Sequence, residues 1–252
     1  YAAGDWGMDC NSRGSVTVAL GETKTCTITN DDIAPSLTLT KYVELDYGGT
    51  AVPANWTLYA TGPTSISGLG GAVSGSNFSA GTYPLSESTG PTGYSPGSWG
   101  CTGGTLVGNN VTLGLGETAS CYITNADIQP LLTVTKVVIN DNGGEAVVSD
   151  FPLFVDTTSV TSGIQNGFNA GTYTVSETSQ TGYTGTISGD CDANGSVTLA
   201  VGDVKACTIT NDDQPGRLVV TKYNDENGDG SQNGEESVLS DWTIRVSDGE
   251  NI

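Results

Sequence analysis

A lysine, a glutamate and an asparagine recur in this sequence at positions where strand alternation points them into an apolar interior. In the segment beginning Leu37, the alternate residues Leu37, Leu39, Lys41 and Val43 share one face. The same holds for Leu132, Val134, Lys136 and Val138, and for Leu218, Val220 and Lys222. Further along, Tyr83, Leu85 and Glu87 align, as do Tyr173, Val175 and Glu177. A third strand type aligns Cys121, Ile123 and Asn125, then Cys207, Ile209 and Asn211, and at the start of the chain Cys26, Ile28 and Asn30. Buried singly, each polar group costs several kcal/mol, whereas buried together they satisfy one another. Such a trio also has chemistry open to it. Burial lowers a lysine pKa and raises that of a glutamate, so a neutral amine sits beside a protonated acid. The amine attacks the carboxamide carbon while the glutamate polarises the carbonyl and carries the proton. Ammonia leaves, and an amide joins the first strand to the last. The competing arrangement has Lys41 and Lys136 at strand ends leaning into solvent, with the asparagines capping strands.

A second constellation suits a hard cation. Asp225, Asn227, Asp229, Ser231, Asn233 and Glu236 fit the pattern D-x-[DN]-x-[DN]-G-x5-E, with Gly230 at the sixth position for the sharp turn. Oxygen ligands at this spacing match Ca2+ coordination, against the alternative of a solvated acidic turn. The loop follows a strand-like segment, which argues against a helix-loop-helix sensor. Acids at the joints, Asp31, Asp32, Asp127, Asp212 and Asp213, and the turn at Asp141, are further ion candidates, though such residues are more often solvated turns.

The elements that must position these groups come as repeats. CTITNDD at Cys26, CYITNAD at Cys121 and CTITNDD at Cys207 are spaced by 95 and 86 residues, and the lysines Lys41, Lys136 and Lys222 keep the same offsets. Two complete units follow, 36–130 and 131–216, flanked by the last part of a unit at 1–35 and the first part of one at 217–252. Pro35, Pro130 or Pro215 sits at each joint and suggests a stiff connection. Units of this size are whole domains. Their periodicity is two, with no convincing 3.6-residue pattern, which predicts an all-β protein of tandem immunoglobulin-like sandwiches. The segments from Ser15, Asn109 and Gly195 up to Asn30, Asn125 and Asn211 read as β-hairpins about a glycine-containing turn.

The six cysteines fall as Cys10 and Cys26, Cys101 and Cys121, Cys191 and Cys207, one pair per unit at equivalent places, which favours disulfides and an oxidising, extracellular location. Sequons at Asn55, Asn77, Asn110 and Asn194 are compatible with glycan attachment there. Among 252 residues are 28 acidic and 8 basic side chains, a net charge of −20, and no histidine. Histidine-dependent nucleophilic catalysis and histidine metal sites are therefore excluded, and nucleic acid and anionic membrane would be repelled. No apolar run approaches a membrane span. The chain opens on Tyr1 and reads as a mature or excised segment.

GTYPLSESTGPTGY from Gly81 and GTYTVSETSQTGYT from Gly171 resemble the glutamate box of the B-type (Cna B) repeats of collagen-binding surface adhesins, shared with SpaA-type pilin domains. The resemblance implies intramolecular isopeptide bonds in the trios Lys41, Glu87, Asn125 and Lys136, Glu177, Asn211, with Lys222 and Asn30 as members of split or incomplete trios. The cysteine pairs and the double aspartate after Asn30 and Asn211 depart from that pattern. The stretch from Val219 to Ile244 is similar to the calcium-binding B-type repeats of serine-aspartate surface proteins. Together these imply a non-enzymatic extracellular structural protein: a stalk or filament subunit whose partners are neighbouring domains or further copies, head to tail. The incomplete ends fit either a window of a longer array, slightly favoured, or strand complementation between subunits. A rival expectation is an adhesive module that holds a glycan or host protein on Trp56 and Tyr59 or on Trp99. A hydrolase built on paired carboxylates has no supporting pattern beyond turns and the calcium loop.

Overall fold

A computed structural model describes residues 1–234 and 236–247. Within it the alternation seen in the sequence becomes two β-sandwiches. In the first unit one sheet runs Gly71–Val73, Ser36–Glu44, Thr118–Asp127, Tyr94–Pro96, with Gly100–Thr102 also pairing the long closing strand. The facing sheet runs Thr105–Val107, Asn110–Leu113, Gly81–Glu87, Thr57–Ala60, Ile66–Leu69. Leu37, Leu39, Leu58, Tyr83, Leu85, Val111, Leu113 and Ile123 from both sheets interdigitate and are all but inaccessible to solvent. Burying such side chains is worth about 1.5–3 kcal/mol each, which is what orders strands as short as these.

The second unit repeats the plan with shorter connections. Leu131–Ile139 lies between Gln165–Gly167 and Val204–Asp213, with Tyr183–Gly189 beyond the latter. Thr158–Val160, Leu153–Val155, Gly171–Glu177 and Ser196–Leu199 form the facing sheet. In both units the opening and closing strands are parallel neighbours, in register from Ser36 opposite Thr118 to Glu44 opposite Ala126, and from Leu131 opposite Val204 to Ile139 opposite Asp212. The strands bearing the lysine and the asparagine therefore touch, although they bound the whole domain in sequence.

Three expectations need correction. The glycine turns do not close β-hairpins: Asn110–Leu113 pairs with the glutamate strand while Thr118–Asp127 pairs with the lysine strand, so the chain arches from one sheet to the other. Val111 and Leu113 then face the core from one side and Ala119, Cys121 and Ile123 from the other, which the same alternation permits. Glu117 and Asp203 close these turns by accepting the Gly114 and Ala200 amides, each at 2.8 Å. In the amino-terminal part, Ser15–Ala19 forms no strand; Cys26–Asp31 pairs instead with Ala2–Met8. In 217–247 the opening strand does not form either. Among the described residues an isolated bridge links Tyr223 and Val238, and Leu218, Val219 and Val220 stay exposed with no closing strand beside them. All three cysteine pairs are disulfides: Cys10–Cys26, Cys101–Cys121 and Cys191–Cys207.

Candidate functional site

Lys41 is opposite Ile123, and Asn125 lies two residues further along the parallel partner, so both side chains emerge on the core face. Both residues are 2% exposed. From the facing sheet, Glu87 reaches between them: Lys41 Nζ donates to Glu87 Oε2 at 2.6 Å, and Asn125 Nδ2 donates to Glu87 Oε1 at 2.9 Å. Asn125 Oδ1 is buried without a partner. The glutamate thus touches the nitrogen that would depart rather than the carbonyl it was expected to polarise. A half-turn of the carboxamide exchanges the two, since its N and O occupy nearly the same volume.

Trp56 roofs the site, with Lys41 Nζ 4.9 Å from its ring centre, and Tyr94 meets that indole edge-on at 5.6 Å. Burial pushes the Lys41 amine below its ordinary pKa of 10.5, and the hydrogen bond and charge of Glu87 offset this only in part. That direction is the one a nucleophile needs, because only the neutral amine has a free electron pair.

The second trio is looser. Lys136 Nζ is 3.3 Å from Glu177 Oε2, a distance for an ion pair, but without hydrogen-bond alignment. The amine instead donates to the carbonyls of Val137 at 3.1 Å and Ile209 at 3.3 Å. Asn211 Oδ1 is buried and unpartnered, and it lies with Glu177 Oε1 over Gly185, where a Cβ would sit 2.9 and 3.2 Å from the two oxygens. Phe151 takes the place of Trp56, 4.5 Å from the amine, and burial again lowers the lysine pKa against the charge of Glu177. These roofing aromatics were missed in the sequence, though the signal was present: each follows its lysine by 15 residues.

Lys222 has an aromatic cover too, Trp242 at 5.1 Å, but it is exposed and, among the described residues, its amine has no hydrogen bond or ion pair to a glutamate or asparagine. Asn30 is likewise exposed. The split trio is not assembled in this chain. Nor do the candidate adhesive aromatics form a surface cluster: Trp56 and Trp99 are buried, and only Tyr59 of the three is exposed. The four sequon asparagines, Asn55, Asn77, Asn110 and Asn194, are all exposed.

The acids two residues beyond each trio asparagine hold the turn that follows the opening strand. Asp127 accepts the amides of Asp46, Tyr47 and Gly49, each at 2.9 Å. Asp213 accepts those of Asp141, Asn142 and Gly144. Burial alone would raise the Asp213 pKa, but the amides of Gly144, Asn142 and Asp141 together hold it below the ordinary 3.8. A depressed carboxylate stabilises the fold fully above its unfolded pKa and loses that contribution as pH falls through the folded value. Acid titration followed by near-ultraviolet dichroism is therefore expected to show Asp213→Asn less stable than the parent at pH 7, the difference shrinking as the pH falls below 3.8 and through the depressed folded value.

Carboxylate oxygens of Asp141, Asp212 and Asp213 lie within 4.8 Å of one another, a group that could hold a cation. The charge of Asp212, then burial, then the charge of Asp213 raise the Asp141 pKa. The sequence-predicted calcium loop is already wound about its acids. Asp225 Oδ1 accepts the Gly228 amide at 2.6 Å and Oδ2 accepts the Gly230 amide at 2.9 Å. Asp229 accepts the Ser231 amide at 2.8 Å and the side chains of Asn227 and Asn233 at 3.0 and 2.7 Å. Glu236 Oε1 is buried without a partner. Backbone donors, chiefly those of Gly230 and Gly228 for Asp225 and of Ser231 for Asp229, keep both carboxyls below their ordinary pKa.

Residues 32–123 and 127–209 each match the model of a prealbumin-like fold domain of the SpaA type. The chain belongs to this family and carries two such domains in tandem. No curated protein sequence matches it. Among solved structures, the Bacillus anthracis TIE protein is similar at 18% identity and a TM-score of 0.41, over 76% of this chain and 37% of that one. The chain thus spans little more than a third of that protein. The major pilin of Streptococcus pyogenes is similar at 14% identity and a TM-score of 0.32, over 74% of this chain and all of that one. The minor pilin of Streptococcus agalactiae is similar at 15% identity and a TM-score of 0.26, over 75% and 100%. Among the described residues no helix is long and apolar enough to cross a membrane.

Proposed function

We propose that the chain is part of an extracellular structural protein of a microbial surface, a stalk or filament subunit, each complete domain of which is closed by an isopeptide bond. The observation that carries this reading is the Glu87 carboxyl, hydrogen-bonded at once to Lys41 Nζ and Asn125 Nδ2 in a buried site. The neutral amine attacks Asn125 Cγ, the new C–N bond replaces the old one, and Glu87 passes a proton from the incoming amine to the leaving nitrogen, which departs as ammonia. Every atom is accounted for without an outside reactant. Lys136, Glu177 and Asn211 do the same in the second domain. A bond of this kind joins the two parallel strands that force would otherwise peel apart, and reduction cannot break it. The work is mechanical, and no turnover is involved.

Intact mass of the non-reduced chain tests the reading. The expected value lies below the sequence mass by two hydrogens for each of three disulfides and by one ammonia for each of two trios. A mass short only of the disulfide hydrogens would overturn the cross-links.

Calcium is the second part of the proposal. Asp225, Asn227, Asp229, Ser231, Asn233 and Glu236 would hold the ion, which supplies rigidity to a segment with few apolar contacts. Calorimetric titration of the chelator-treated chain with Ca2+ is expected to show one saturable heat that Asp225→Ala abolishes. Equal heats from parent and variant would remove the loop from consideration.

A further inference from the structure

The loop that follows each glutamate changes between the two domains in step with the aromatic that roofs the lysine. Three residues after Glu87 comes Gly90, and three after Glu177 comes Gln180. The roof is Trp56 in the first case and the smaller Phe151 in the second.

In the first domain the loop is tied to the strand beside the roof. The Ser88 amide donates to the Thr57 carbonyl and the Thr57 amide to Ser88 Oγ, both at 2.9 Å. The loop then passes close against the indole: a Cβ at Gly90 would overlap Nε1 and Cε2 of Trp56 and stand 2.7 Å from Cδ1. The φ of Gly90 lies outside the left-handed region, so its own backbone does not call for glycine. What calls for it is the ring. Trp56 is 2% exposed and sits 4.9 Å from the Lys41 amine, so an indole pushed by a methyl at Gly90 leaves its place over that amine. It has somewhere to go, because a cavity of about 490 Å3 is walled by Trp56, Glu87, Gly90, Tyr94 and Asn125.

In the second domain the tie is single. The Thr178 amide donates to the Pro152 carbonyl at 3.0 Å, and Pro152 has no amide to return. Beside the smaller ring the loop carries a side chain where the first domain has none. Gln180 Nε2 donates to the carbonyl of Asp150, the residue before Phe151, at 2.6 Å. A large ring with a glycine, and a smaller ring with a glutamine spanning to its turn, are two ways of closing one roof.

We infer that Gly90 and Gln180 are positioning residues for the proposed cross-links: Gly90 makes room for the indole over Lys41, and Gln180 straps the turn that bears Phe151 over Lys136. The inference rests on the isopeptide reading and adds the residue that holds each roof in place. Neither residue touches the reacting atoms. Each acts through the ring, which keeps water from the amine and so favours its neutral, attacking form.

Intact mass of full chains made by cell-free synthesis under oxidising conditions, sampled over time, tests this. Gly90→Ala is expected to slow the ammonia loss of the first domain about tenfold, since each unit by which the amine recovers its pKa cuts the neutral fraction by that factor, and to leave the second loss unchanged. The slowed step should quicken with pH on toward the ordinary 10.5 of a lysine, whereas the parental step levels off sooner. Adding Trp56→Phe to Gly90→Ala is expected to restore the parental rate, because the smaller ring clears the methyl. Gly75→Ala, whose Cβ meets nothing within 4 Å, is the control and keeps the parental rate. Gln180→Ala removes the strap without crowding any neighbour, and it is expected to slow the second loss alone. A parental rate in Gly90→Ala, or a slowing that Trp56→Phe does not relieve, would overturn the role of Gly90, and a parental rate in Gln180→Ala would overturn that of Gln180. Both results leave the cross-links of the parent standing. A parent that loses no ammonia would overturn the cross-links and these roles together.

Discussion

Glu87→Gln is expected to leave Lys41 and Asn125 unjoined and to lower the melting temperature of the first domain by roughly 15–30 °C. The magnitude follows from chain entropy. The bond closes a loop of 84 residues, and by the reasoning used for disulfides such a closure is worth on the order of 4 kcal/mol. Each kcal/mol moves the midpoint of a domain this size by about 4–8 °C. Glutamine keeps the shape of the side chain but cannot carry the proton, so the loss reports the bond more than the packing. In calorimetry the transition of the first domain moves and that of the second stays. Glu177→Gln does the reverse, and the two effects add because the trios lie in separate cores. An unchanged transition in Glu87→Gln would mean that the bond does not form or that the glutamate is not needed for it.

The second large effect is expected at Trp56. The ring is 2% exposed, and its removal in Trp56→Ala leaves a cavity that costs about 3–5 kcal/mol before any loss of the bond is counted. Water admitted to that cavity also solvates the Lys41 ammonium, returning its pKa toward the ordinary value and slowing cross-linking. Intact mass should therefore show a fraction of Trp56→Ala chains short of one ammonia loss, confined to the first domain. Trp56→Phe, which copies the Phe151 of the second domain, should cross-link to completion. Complete bond formation in Trp56→Ala would show that the roof stabilises the fold but does not tune the amine.

Strand alternation is local, and it made the faces of Lys41, Glu87 and Asn125 legible because each side chain's direction follows from its neighbours one and two residues away. Pairing is not local. Asn110–Leu113 and Thr118–Asp127 carry the same alternation whether they form a hairpin or arch between sheets, and only the competing partners, Gly81–Glu87 and Ser36–Glu44, decide it. The roofing role of Trp56 was hidden for a similar reason: an isolated tryptophan reads equally well as a surface anchor or as core, and its place over Lys41 depends on the packing of the two sheets. Asp127 and Asp213 looked like joint acids open to ions, yet their first task is to receive three backbone amides each from a turn some 70–80 residues away in sequence. Strands at 15–19 and 217–223 failed to appear because a strand needs a neighbour, and the sequence pattern alone does not supply one.

Fragmentation of proteolytic peptides from the reduced and alkylated chain tests the proposed cross-links at single-residue level. Two branched species are expected, one joining the peptide of Lys41 to that of Asn125 and one joining the peptide of Lys136 to that of Asn211, each lighter than its parts by one ammonia. Recovery of all four as linear peptides, with free lysine amines and intact asparagines, would contradict the account.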